Sequence, residues 1–158
     1  MFEKMKTARF LVYSLGWTIT LSCFLGATTS AEQLSPVGLW YNIDDRTGQP
    51  RAEIRIIERD GVLTGRIERS LSADPSREES HCGKCTDDRK GQRLIGMEII
   101  RGARPAKDQW WEGGTILDPD NGKTYSLRLR VADDKGSLLV RGYIGPFFRT
   151  QTWHRVER

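Results

Sequence analysis

The sequence predicts an all-β fold: a single antiparallel up-and-down β-barrel of about eight strands, preceded by a signal peptide. Three observations lead there. Apolar and polar residues alternate with a period of two through much of residues 37–156, and helix-period windows of useful length are absent. Turn-forming pairs then separate the alternating runs.

Residues 1–31 come first. Lys4, Lys6 and Arg9 form a basic start, Phe10–Gly26 is an apolar stretch, and Thr29-Ser30-Ala31 supplies the small residues of a peptidase site. That is the three-part pattern of a secretory leader, with cleavage expected after Ala31. A retained membrane anchor is the rival, because roughly 17 apolar residues can just span a bilayer. Ser14, Gly16, Thr18, Thr20 and Ser22 dilute the stretch and count against it. Lipidation at Cys23 is a further alternative, weakened by the Thr20-Leu21-Ser22 that precedes it.

The mature chain, residues 32–158, is long enough for one domain with one core. Losing three basic residues and one acidic residue lowers the net charge from +4 to +2. So small a surplus, with signs interspersed, gives no footprint for nucleic acid and no polybasic membrane patch. After cleavage no stable membrane span is expected.

Strands are expected near Val37–Ile43, Ala52–Arg59, Val62–Arg69, Leu94–Arg101, Trp110–Leu117, Thr124–Val131, Ser137–Ile144 and Thr150–Val156. The sixth is the clearest: Tyr125, Leu127, Leu129 and Val131 share one face, and Thr124, Ser126, Arg128 and Arg130 the other. Thr47-Gly48, Asp60-Gly61, Asn121-Gly122 and Lys135-Gly136 supply turns that often need a positive φ. A meander of this kind must dispose of its edges, and closure into a barrel removes them; a two-sheet sandwich is the competing architecture. Residues 70–93 form a long polar connection holding both mature cysteines.

Gly38-Leu39-Trp40 is a Gly-x-Trp, which resembles the first-strand signature of lipocalins and other calycins. In order there follow Asp45-Arg46-Thr47-Gly48, Cys82-Gly83-Lys84-Cys85, Gly113-Gly114-Thr115-Ile116-Leu117-Asp118-Pro119 and Asn121-Gly122-Lys123-Thr124-Tyr125. Val140-Arg141-Gly142-Tyr143-Ile144-Gly145 and Arg149-Thr150-Gln151-Thr152-Trp153 complete the series. Across Ser35–Val156 it resembles the bacterial exported family called domain of unknown function 2147 (DUF2147). The resemblance implies a periplasmic or secreted protein with a lipocalin/calycin-like barrel. It brings no established activity and no catalytic residues. Pro146-Phe147-Phe148 is bulkier than the family's pattern after the seventh strand, so the shape of that rim is not implied.

Cys82-Gly83-Lys84-Cys85 carries the most chemistry. In an oxidising compartment an even pair of cysteines is expected as a disulfide, here a local staple in the long loop. Redox cycling would want a βαβ context, and zinc with His81 as third ligand would want further soft ligands. Asp118, Asp120 and Gly122 echo a calcium loop, yet its twelfth position falls on Leu129; Asp44-Asp45, Asp87-Asp88 and Asp133-Asp134 read as turns. The histidines His81 and His154 come with no Gly-x-Ser-x-Gly or His-Glu-x-x-His motif. No enzyme activity, no cofactor and no metal site is expected.

The last two strands hold the binding candidates. If Trp153 points inward, Gln151, Arg149 and Arg155 share its side, while Arg141 and Tyr143 share a face of the preceding strand. Trp40, Arg141, Tyr143, Arg149, Gln151 and Trp153 are therefore the candidate ligand-binding residues. The alternatives are solvent exposure, or an arginine packed across Trp40 to close one barrel end. The leading expectation is a non-enzymatic envelope protein that binds a small apolar or amphiphilic ligand. The alternatives are a structural or protein-interaction module with a filled barrel and, further off, thiol-redox or metal binding through Cys82 and Cys85. The interior volume decides between the first two.

Overall fold

The computed structural model describes residues 34–72 and 80–157. The expected leader, its cleavage site and Cys23 lie outside the described residues. Eight strands run in chain order: β1 Gly38–Ile43, β2 Pro50–Arg59, β3 Val62–Ser70, β4 Glu98–Pro105, β5 Trp111–Asp118, β6 Lys123–Val131, β7 Ser137–Ile144 and β8 Phe147–Arg155. Each pairs antiparallel with the next, and β8 returns to β1 to close the barrel. The closing seam is short, registering Trp40 with Arg155 and Tyr41 with His154, and Val156 N donates to Leu39 O at 2.9 Å just beyond it.

All eight expected strands are present, and two are displaced by three or more residues at an end. The fourth was expected at Leu94–Arg101 and instead starts at Glu98. Leu94 and Ile95 are apolar because they pack against the core from a turn, in which Gly96 takes φ 87° and donates its N–H to Ile67 O at 2.8 Å. Burial and strand membership are separate properties, and an apolar pair reports only the first. The eighth strand starts three residues early, because Gly145-Pro146 is a two-residue turn that pairs Ile144 directly with Phe147.

The core is dense at one end of the barrel. Trp40, Ile56, Leu63, Ala103, Leu129 and Leu138 are completely buried there. The segment before β1 crosses this end: Trp40 donates its indole N–H to Pro36 O at 2.8 Å, and Leu34 N donates to Gln109 Oε1 at 3.0 Å. Arg155 then lies over the Trp40 ring and donates to Val37 O and Lys135 O, tying the entry of β1 to the β6–β7 turn. The bottom of the barrel is plugged by side chains and by this strap.

Residues 80–93 of the cysteine loop pack as a flap on the opposite half. The sulfurs of Cys82 and Cys85 stand at disulfide-bonding distance, with Cα atoms 5.4 Å apart, and both residues are buried. Arg89 is only 2% exposed. It is held by the Asp87 carboxylate and donates to Glu98 O at 3.1 Å and Thr124 Oγ1 at 3.1 Å. Lys84 Nζ donates to Asp120 O at 2.7 Å. A Cβ on Gly122 would overlap the Lys84 carbonyl, so the loop sits directly on the β5–β6 turn.

Candidate ligand-binding site

The end of the barrel away from Trp40 is open. Antiparallel pairing brings together there the β1–β2 loop, the β5–β6 turn and the β7–β8 turn. Below them is a cavity of about 730 Å³. Its wall is aliphatic, with Ile54, Ile67, Ile99, Leu117 and Val140, and Trp153 contributes an aromatic surface. Gly142 on β7 lets the Tyr125 side chain lie close against the strand: a Cβ there would stand 3.3 Å from Tyr125 Cβ and 3.8 Å from Ile116.

Polar residues are confined to the rim. Gln151 is their hub. Its side-chain oxygen accepts from Trp153 Nε1 at 3.2 Å and from Asn42 Nδ2 at 3.3 Å, and its amide nitrogen donates to Asp45 Oδ2 at 2.8 Å. Two donors on one side and a carboxylate on the other fix the orientation of the amide. The same Asp45 oxygen receives the Arg149 guanidinium.

The other rim charges are also tied down. Arg51 pairs with Asp120 at 2.7 Å, and Asp118 accepts from Asp120 N and Asn121 Nδ2, both at 2.9 Å. Asp44 caps its turn by accepting from the Arg46 and Thr47 backbone N–H groups, which hold its carboxyl below the ordinary value. A rim of four aspartates and three arginines is thereby neutralised largely within itself. The mouth presents hydrogen-bonding groups rather than a strong field.

The six candidate residues divide into three places. Arg149, Gln151 and Trp153 line the cavity. Trp40 lies at the plugged end, 0% exposed, beneath Arg155. Arg141 and Tyr143 point outward, because Val140, Gly142 and Ile144 are the β7 residues that line the cavity and the pleat sends their neighbours to the other side. As ligand contacts inside the barrel, these two are corrected by that alternation. On the outer wall Arg141 stacks on Phe148 and Trp110, and Arg128 and Arg130 stack on the same Trp110. Burial opposes ionisation of the Tyr143 phenol, yet Arg141 and Arg128 outweigh it and lower its pKa.

Asn42, Asp45, Arg51 and Asp120 are rim residues that sequence reasoning missed. Their turn chemistry was visible, but hairpin turns read alike at either end of a barrel. No group of three His, Cys, Asp or Glu side chains converges into a metal-binding arrangement among the described residues. No helix among the described residues is long and apolar enough to cross a membrane.

The profile of a bacterial family described as "Uncharacterized protein conserved in bacteria (DUF2147)" matches residues 38–155, three quarters of the chain. The chain belongs to that family. Among solved structures it is similar to protein HP1028 of the human pathogen Helicobacter pylori, described as belonging to the lipocalin family. The identity is 14% and the TM-score 0.66, with 78% of this chain and 84% of that one covered. At that identity the likeness establishes the fold, a lipocalin-like barrel within DUF2147. No match was found among curated proteins. The Gly38-Leu39-Trp40 strand and the Trp40–Arg155 stack occupy the plugged end of this DUF2147 barrel, and the cavity opens at the other.

Proposed function

We propose that this DUF2147 protein is an exported, non-enzymatic binding protein that holds a small, partly apolar ligand in its barrel. The observation that carries the reading is the cavity itself. About 730 Å³ is within the range of about 300–1,000 Å³ typical of small-molecule sites. Its chemistry is graded: aliphatic and aromatic below, hydrogen-bonding at the rim. An acyl or ring system would occupy the lower part, and a neutral polar head would meet the Gln151–Asp45–Asn42 group. A strongly ionic head would have to break rim pairs that are already satisfied. A filled barrel would have favoured a structural module of the envelope.

The leader-like residues 1–31 motivate export to the periplasm or beyond. The test of binding is native mass spectrometry of protein purified from the exporting cell. A discrete co-purified mass, released on denaturation, is the expected result. Protein that carries no such mass, and to which fatty-acyl and aromatic probes do not bind, would overturn the reading. N-terminal sequencing of the same sample should begin at Glu32; a lipid-bearing start at Cys23 would overturn soluble export.

A further inference from the structure

Among the described residues, three of the four large apolar side chains most exposed to water belong to one hairpin. Ile144, Phe147 and Phe148 are 53%, 78% and 58% exposed, and they flank the two-residue turn between β7 and β8. Leaving such side chains in water forgoes the gain of burying them, and clustered exposure of this kind marks an interaction site. The tip is also well supported. Ile144 pairs with Phe147 and Tyr143 with Phe148 across the ladder, and the Tyr143 and Phe148 rings are 5.5 Å apart.

Behind the tip the outer wall turns basic. Arg141 lies 4.5 Å from the Phe148 ring centroid and 5.3 Å from that of Trp110. Arg128 and Arg130 approach the same Trp110 ring at 4.7 and 5.4 Å. Arg128 pairs with Glu112 at 2.7 Å, while Arg141 donates to two uncharged oxygens, Thr150 Oγ1 and Tyr143 Oη. Three guanidinium groups thus gather around one tryptophan with one carboxylate paired to them. A net charge of only +4 for the whole chain conceals this local excess.

From tip to wall the order is phenylalanine, tyrosine, then arginine with tryptophan. That is the order of chemistry met in passing from the acyl boundary of a bilayer to its phosphates. We infer that the β7–β8 hairpin docks the protein on an anionic phospholipid surface. Phe147 and Phe148 enter the acyl boundary, and Arg141, with Arg128 and Arg130 behind it, engages headgroup phosphates. A protein partner fits less well, since a stable interface needs about 800 Å² of complementary surface per side, whereas a bilayer accepts a small wedge. Because Ile144, Phe147 and Phe148 also line the cavity mouth, docking sets that mouth against the lipid. The inference stands apart from the ligand reading, since vesicle binding requires no occupied cavity.

The test is co-sedimentation of the mature protein with vesicles of phosphatidylglycerol and phosphatidylethanolamine, compared with phosphatidylcholine alone. The wild type should bind the anionic vesicles, and F147S/F148S should bind at least about tenfold more weakly, a loss of 1.4 kcal/mol or more. Its melting temperature should be retained, because both side chains are exposed. High salt and R130Q/R141Q should each weaken binding severalfold, and free glycerol phosphate should not compete. Wild-type protein that ignores anionic vesicles would overturn the inference, as would F147S/F148S that binds them undiminished. Competition by glycerol phosphate would overturn it in favour of a free-anion site. Self-association lost in F147S/F148S, without vesicle binding, would overturn it in favour of an interface between copies.

Discussion

The guanidinium carbon of Arg155 lies 4.1 Å from the centroid of the Trp40 ring, so a side-chain stack reinforces the seam that closes the barrel. The seam itself registers only two residue pairs, and one of them is Trp40 with Arg155. Losing the stack also loses the bonds to Val37 O and Lys135 O. Arg155→Ala is expected to lower the unfolding free energy by about 1–2 kcal/mol. Lysine should restore only part of it, because the planar donor fork is gone. Urea unfolding of the three proteins measures this.

Gly122 has φ 72° and meets the Lys84 carbonyl where a Cβ would be. Gly122→Ala should cost more than the roughly 1 kcal/mol set by backbone strain alone, and it should lift the cysteine loop from the β5–β6 turn. Limited proteolysis should then cut within residues 80–97, with a lowered melting temperature.

Joining Cys82 to Cys85 closes a very short ring, which contributes on the order of 2 kcal/mol from loop entropy. Both sulfurs are buried, so C82S/C85S also places two hydroxyls in an apolar setting and should cost somewhat more. The barrel should still fold, as judged by far-ultraviolet circular dichroism, and probe binding should persist. Loss of an insulin-reduction activity in that variant, or stoichiometric zinc in the wild type, would reverse the structural view of this pair.

Asp87 is held at a pKa of about 2, below its ordinary 3.8, chiefly by the hydrogen bonds from Arg89. A carboxyl with a depressed folded-state pKa stabilises fully above the unfolded value and loses that contribution as pH falls through the folded one. The loss for Asp87 therefore falls between about pH 4 and pH 2. Asp87→Asn should lower the melting temperature at neutral pH and flatten its decline across that acid window. Melts from pH 7 to pH 2 would show identical slopes if the pair contributes nothing.

Ala52 lines the cavity and is half-buried, so a large side chain there can fill the space with little disturbance of the packed core. Ala52→Trp should weaken binding of an environment-sensitive apolar dye by about tenfold or more, as loss of most of the apolar site requires. Its stability should stay close to that of the wild type. Undiminished dye binding in Ala52→Trp would place the dye elsewhere on the protein.

Much of this was written locally. The alternation of Tyr125, Leu127, Leu129 and Val131 names a strand from its own residues, and Asp60-Gly61 and Asn121-Gly122 mark turns because few other pairs tolerate their backbone. Gly38-Leu39-Trp40 marks the first strand, while the burial of Trp40 at the plugged end beneath Arg155 belongs to the tertiary structure. The local signal failed at Leu94-Ile95, where apolar residues are buried by a turn instead of a strand.

What tertiary structure alone decided was which side of each strand faces in. A period of two defines two faces without ranking them, and β7 offered plausible polar and apolar sets on either side. Register with β6 and β8 settled it, sending Val140 and Gly142 to the cavity and Arg141 and Tyr143 to the outer wall. The cavity is likewise a collective property. Its volume depends on small residues such as Ala52 and Gly142 facing side chains from strands far away in sequence, and no local pattern encodes that distance. Composition and alternation determined that this chain makes a β-barrel, while long-range register determined that one end is filled, the other open, and three arginines share one tryptophan outside.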